Sequence, residues 1–225
     1  MLAQTGYGAK PRLRNLILPL FLCVAPLATV AQAQTLTIAA LGDSLTQGYG
    51  LPEEDGFVPQ MQAWLQAQGA DVRLINAGVS GDTTAGGLSR VAWTLTPDVD
   101  VMIVALGGND FLRGIDPATS RANLSGILEA AQAQAVPVLL VGIEATGNYG
   151  PAFQADFNAM YPELATEFDT GLYPDFFAGL LVGGEMAAAR ATYLQDDGIH
   201  PNAEGVAMIV EAMGPAVLEL VVAGG

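Results

Sequence analysis

Thiol, imidazole and positive charge are all scarce in this sequence, and each scarcity removes a class of chemistry. The single cysteine, Cys23, lies inside an apolar run near the N-terminus. Without that run the chain has no thiol, which excludes cysteine catalysis, disulfides and thiolate metal sites together. Leu22 stands where a lipoprotein signal needs a small residue before its cysteine, so lipidation is not expected. The single histidine, His200, is the one imidazole available as a base. Eight basic residues face 23 acidic ones, for a net charge of −15. So acidic a surface repels phosphate backbones and anionic lipid headgroups, which excludes nucleic acid as a main partner.

Three of the few cations sit together at the start. Lys10, Arg12 and Arg14 precede the apolar stretch Leu16 to Val30, and Ala31-Gln32-Ala33 follows with a small-x-small pattern. That succession predicts a cleaved secretory signal over residues 1–33 and a periplasmic or secreted domain over 34–225. The stretch falls short of the roughly 20 residues that span a bilayer. Pro19 and Pro26 also interrupt it, so no stable membrane insertion is expected after cleavage. Removing this leader, which holds no acid, takes the net charge from −15 to −18. The remainder has the size of one ordinary domain, with a 51 % apolar chain and no need of metals or disulfides in place of a core. A monomer is expected.

Apolar runs and amphipathic runs alternate along the domain. Thr35–Leu41, Val99–Leu106 and Val136–Ile143 are short, rich in β-branched residues and apolar at consecutive positions, and Val72–Asn76 is a shorter example. Such runs suit parallel strands covered on both faces. Helical spacing marks Phe57–Gln68, Ala118–Gln134, Phe153–Phe168 and Glu204–Val222. The alternation predicts an α/β fold, a three-layer α/β/α sandwich with right-handed crossovers. Ligands in such sheets sit at the carboxyl ends of the strands.

Chemically capable residues follow those strand ends. Ser44 lies in Gly42-Asp43-Ser44-Leu45 after the first strand, Gly81 in Ser80-Gly81-Asp82-Thr83 after the second, and Asn109 in Gly107-Gly108-Asn109-Asp110 after the third. Asp197 and His200 lie in Asp197-Gly198-Ile199-His200 before the last helix. A serine hydroxyl needs a base, and a carboxylate three residues before the only histidine, across a flexible Gly198, is spaced to fix its tautomer. Acyl transfer also needs oxyanion donors, which the Gly81 N–H and the Asn109 side chain could supply. Each group has a plainer reading too. Ser44 suits a helix N-cap, Asn109 an Asx turn, Gly81 a chain reversal and Asp197 a capping turn, and Pro201 suits the first position of the next helix. Asp43, Asp82 and Asp110 read as helix starts or loop braces.

Taken together and in this order, the four segments resemble the conserved blocks of the SGNH (GDSL) hydrolase family. The resemblance runs from Thr35 to about Leu220 and is strongest to the branch of periplasmic arylesterases, thioesterase I and lysophospholipase L1. It implies a flavodoxin-like five-stranded sheet of order 2-1-3-4-5. It also implies a catalytic triad of Ser44, Asp197 and His200, an oxyanion hole from the Ser44 N–H, the Gly81 N–H and Asn109, and no cofactor or metal. The expected activity is hydrolysis of small-molecule carboxylic esters or thioesters through an acyl-enzyme. Leu106, Phe111, Leu112, Ile143, Tyr149 and Phe153 follow strands and are candidates for an apolar acyl groove, though such residues are more often core. Two other readings stand beside this one: an esterase acting on acetylated polysaccharide, and a flavodoxin-like binding module without catalysis.

Overall fold

Runs that are apolar at every position have nowhere to go but between two layers of helices, and the chain follows that constraint. The structure is a computed structural model that describes residues 1–6, 8, 35–181 and 186–224. The basic, apolar and small-x-small segments of the expected leader therefore lie outside the described residues. Two compact units divide the chain, Met1–Gln32 and Ala33–Gly225, and everything below concerns the second.

Its sheet is built from β1 (Leu36–Gly42), β2 (Val72–Gly78), β3 (Val101–Ala105), β4 (Val138–Val141) and β5 (Gly171–Tyr173), all parallel, in the order β2-β1-β3-β4-β5. Every residue of β3 and β4 is buried, as the apolar runs require. The helices are α1 (Ser44–Gln47), α2 (Phe57–Ala67), α3 (Thr84–Thr94), α4 (Gly108–Arg113), α5 (Pro117–Ala133), α6 (Pro151–Phe168), α7 (Met186–Tyr193) and α8 (Ala203–Gly224). α3, α5 and α6 pack together on one face, and α2 packs with α8 on the other. By length and composition α8 could span a bilayer. Here its stripe of Val206, Ile209, Val210, Met213, Val217 and Leu220 is buried in the core.

Several elements escaped the sequence pattern, α3 and β5 among them. α3 carries Gly86 and Gly87 in its first turn, where glycine lowers helix propensity; Thr83 caps it by accepting the Gly86 N–H at 3.4 Å. β5 is three residues long, too short for periodicity to register. One expectation is corrected. Pro201 does not open α8 but pairs with Leu194 in an isolated antiparallel bridge, and Asn202 takes the capping place by accepting the Gly205 N–H at 2.9 Å. The chain between α7 and α8 is thus a pinched loop, and it carries Asp197 and His200.

Candidate active site

The crossover rule converges the strand ends at one rim of the sheet, and the register shows how closely. β1 and β2 stay in step until Gly42 faces Gly78, and β1 and β3 until Gly42 faces Ala105. Ser44, Gly81 and Asn109 lie just beyond those last pairs, at three neighbouring strand ends: Ser44 opens α1, Gly81 lies in the loop before α3 and Asn109 lies in the first turn of α4.

Asp43 caps α1, its carboxylate accepting the Leu45 N–H at 3.0 Å, so Ser44 becomes the first residue of a single helical turn. Ser44 Oγ lies 2.8 Å from His200 Nε2, and His200 Nδ1 lies 2.6 Å from Asp197 Oδ2. With Nδ1–H donating to the carboxylate, Nε2 is left as the acceptor for the serine proton. The other oxygen of Asp197 accepts the backbone N–H groups of Ile199 at 2.9 Å and His200 at 3.0 Å. The hydrogen bond from His200 holds the Asp197 carboxyl down at about 2 against the opposing effect of burial, and these two backbone donors add to the lowering. Gly198, at φ 67°, supplies the left-handed turn that folds the carboxylate back onto the ring. Further support comes from Gln195, whose N–H donates to the His200 carbonyl at 2.8 Å and whose side chain donates to the Tyr49 carbonyl at 2.8 Å. The Tyr49 ring lies against the imidazole, with centroids 4.6 Å apart.

Donors for a developing oxyanion stand on the neighbouring loops. Neither the Ser44 N–H nor the Gly81 N–H has a protein partner among the described residues. Asn109 uses one hydrogen of its side-chain amide on Asp43 Oδ2 at 3.3 Å, leaving the second available. Glycine is needed at 81 because the backbone is left-handed there, with φ 82°; a Cβ would find only Arg113 Nη2, at 3.8 Å. Asp43 is 2 % exposed, and burial pushes its carboxyl up to about 6 despite the opposing pull of Leu45, Asn109 and His200.

The flanking acids brace the rim. Asp110 is wholly buried and accepts from Thr84 N–H at 2.9 Å, Thr84 Oγ1 at 2.5 Å and Ser120 Oγ at 2.8 Å, fastening α4 to α3 and α5. Asp82 pairs with Arg90 at 2.6 Å. Arg90, Gln195 and Tyr49 carried no motif of their own in the sequence. Arg90 and Asp82 stand eight residues apart, a pairing that only the turn into α3 brings about.

The expected groove residues divide. Phe111, Tyr149 and Phe153 form one aromatic cluster, with ring centroids 4.9 to 6.5 Å apart, and Leu112 is exposed beside it. The Tyr149 hydroxyl donates to the Leu112 carbonyl at 3.0 Å, tying this cluster to the end of α4. Leu106 and Ile143 are core residues instead, 0 % and 7 % exposed. Leu106 faces Gly87 and its carbonyl accepts the Tyr161 hydroxyl at 3.0 Å, so its side chain offers nothing to a ligand. Two surface hollows, one lined by Arg121, Glu163 and Glu167 and one by Trp64, Pro215, Leu218 and Val222, contain none of the triad or oxyanion groups.

A model of the GDSL-like lipase/acylhydrolase family matches residues 40–208, a span that contains Ser44, Gly81, Asn109, Asp197 and His200. Esterase TesA of Pseudomonas aeruginosa is 37 % identical over 199 residues, covering 88 % of this chain and 96 % of its own. Thioesterase 1/protease 1/lysophospholipase L1 of Escherichia coli K12 is 35 % identical over 205 residues, covering 91 % and 93 %. Among solved structures, the SGNH-hydrolase family esterase AlinE4 aligns with a TM-score of 0.68 at 41 % identity, over 84 % of this chain and 98 % of that one.

Proposed function

The chain belongs to the GDSL-like lipase/acylhydrolase family and is a serine ester hydrolase, and from that premise we propose that Ser44 is its nucleophile, His200 its base and Asp197 the carboxylate that orients the imidazole. The observation that carries the assignment is the unbroken chain of hydrogen bonds from Ser44 Oγ through His200 to Asp197, at 2.8 and 2.6 Å. Family membership also sets aside the reading as a binding module without catalysis.

In the proposed reaction His200 Nε2 takes the Ser44 proton as Oγ adds to the acyl carbon. The resulting oxyanion is held by the Ser44 and Gly81 N–H groups and the free N–H of Asn109. The imidazolium, stabilised by ionised Asp197, returns its proton to the leaving alkoxide or thiolate, and the acyl-enzyme remains on Ser44. Water deprotonated by the same nitrogen then releases the acid and restores the serine. Every proton moves through His200 Nε2, and no step calls for a cofactor or metal. Substrates are small-molecule esters or thioesters, a breadth supported by the names of the relatives above. The cluster of Phe111, Tyr149 and Phe153 receives the apolar acyl or aryl group. The N-terminal leader supports export to the periplasm or beyond, with the enzyme acting as a monomer.

A fluorophosphonate serine probe tests the assignment. Labelling is expected at Ser44, absent in Ser44→Ala and much slower in His200→Ala. A Ser44→Ala protein that still hydrolyses p-nitrophenyl esters would sink it.

A further inference from the structure

An oxyanion hole made from backbone donors is only as good as the placement of its loops, and here two donors sit on loops that the sheet no longer holds. The β1–β2 ladder ends at the pair Gly42 and Gly78, while Ser44 and Gly81 lie two and three residues farther on. One backbone bond, from Val79 N–H to the Gly42 carbonyl at 3.1 Å, crosses between the loops. Gln47, in the Ser44 turn, is also tied across, its side chain accepting from Ser80 Oγ at 2.9 Å and its carbonyl from Asn76 Nδ2 at 3.3 Å. A further side chain spans both strand ends at once. Arg90, two turns into α3, turns its guanidinium back over the strand ends and spends three donors there. Nη2 donates to the Gly42 carbonyl at 2.8 Å, Nη1 to the Ala77 carbonyl at 2.6 Å, and Nε to the Asp82 carboxylate at 2.6 Å.

These three acceptors are the end of β1, the end of β2 and the residue directly after Gly81. We infer that Arg90 is a positioning residue for the oxyanion hole, its rigid fork doing beyond the sheet edge what ladder hydrogen bonds do within it. Its planar, fixed donors set distances among three points at once, which a flexible ammonium does not do. The Arg90 and Asp82 side chains are 21 % and 17 % exposed, so the frame is shielded from solvent competition. Arg113 adds a second guanidinium to the same loop, donating to the Gly81 carbonyl at 2.8 Å. This bond fixes the peptide that follows Gly81, and the next residue's side chain is fixed by Arg90. Neither arginine touches the reacting atoms.

The inference rests on Ser44, Gly81 and Asn109 forming the site, and the test separates the two. Arg90→Lys keeps the charge and loses the fork, and Arg90→Ala loses both. Both are expected to lower kcat for a p-nitrophenyl ester by about 10²- to 10³-fold, the scale of losing one oxyanion donor. KM should stay within about threefold, because ground-state binding does not use the hole. Guanidinium at tens of millimolar should restore part of the rate to Arg90→Ala and leave wild type unchanged. Val91→Ala, a core truncation next door at a 4 % exposed site, serves as the stability control. It should lower Tm with kcat within about twofold of wild type. Asp82→Asn, which keeps an acceptor for Arg90 Nε but removes the charge from that contact, should fall between wild type and Arg90→Lys. The inference is overturned if Arg90→Lys keeps wild-type kcat, or if Arg90→Lys and Val91→Ala lose activity alike at equal loss of Tm. Should Arg90→Ala fail to fold, Arg90→Lys and Asp82→Asn decide the matter alone. Activity that survives in Ser44→Ala would instead defeat the active-site assignment and leave the loop frame standing as structure.

Discussion

Replacing Asp43 by asparagine should separate what that carboxylate contributes to catalysis from what it costs the fold. Burial raises its carboxyl from 3.8 to about 6 in the native protein. A group that holds its proton more tightly when folded makes the native state bind more protons than the unfolded state between the two values. Stability therefore falls as pH rises from about 4 to about 6, and above that the cost is fully present. Two pKa units at about 1.36 kcal/mol each give about 3 kcal/mol. An asparagine carries no such cost and keeps an oxygen for the Leu45 N–H. Asp43→Asn should be more stable than wild type by up to about 3 kcal/mol at pH 7.5, with the difference vanishing near pH 4. Activity should move the other way. Wild-type Asp43 Oδ2 accepts one hydrogen of the Asn109 amide at 3.3 Å and so directs the other outward. An amide NH₂ at position 43 would set donor against donor, and Asn109 must then rotate its carbonyl inward and withdraw its free N–H from the site. Loss of that donor is worth about 10² in kcat. Urea unfolding followed by circular dichroism at the two pH values, with kcat measured alongside, checks both halves. A stability difference that does not depend on pH would refute the electrostatic cost, and wild-type kcat would refute the orienting role.

Further outcomes follow from the same geometry. Asp197, held at about 2 by its hydrogen bond from His200, stays ionised well below neutrality, so lost activity in mild acid is not expected to come from this carboxylate. A carboxyl lowered on folding lends stability above its unfolded value and gives it up as pH falls through about 2. Asp197→Asn should lower kcat by about 10³- to 10⁴-fold at pH 8, as in triads whose imidazole is left in the wrong tautomer; a pH–rate profile within tenfold of wild type would contradict it. Tyr149→Ala and Phe153→Ala should lose rate progressively as the acyl chain of p-nitrophenyl esters lengthens, by about tenfold at eight carbons, where about 1.4 kcal/mol of apolar contact is lost. Leu106→Ala should instead lose about 2–5 kcal/mol of stability and keep its chain-length profile, because that side chain is core. Equal profiles for all three would remove the aromatic cluster from the substrate path.

The parts of this fold legible in sequence were those governed by repetition. β3 and β4 are apolar at every position because both faces are covered, and α2, α5, α6 and α8 show helical spacing within three residues of their true ends. Where local chemistry competes with periodicity, the pattern was silent. α3 opens through two glycines, and its start is set by the Thr83 cap and by the Thr84 contacts with Asp110, a partner 26 residues away. β5 exists because β4 offers it an edge, which three residues of sequence do not announce. At the candidate site, residue types at three strand ends and before the last helix marked Ser44, Gly81, Asn109, Asp197 and His200, and their order, which resembles the family's blocks, singled them out together. Arg90, Gln195 and Tyr49 had no such signature. Their partners are backbone carbonyls and a ring face, which any sequence provides. Tertiary approach alone makes them specific.

The hydrogen bond between Ser44 and His200 joins residues 156 apart, one near each end of the domain. A chain still emerging from a ribosome exposes Ser44 with no imidazole beside it. Only when the loop from Leu194 to Pro201 has been delivered, and Gln195 has latched it to Tyr49, does the chain acquire its chemistry. An ester hydrolase made this way carries no assembled nucleophile and base until its last loop is in place. Completion of the polypeptide serves as its activation step.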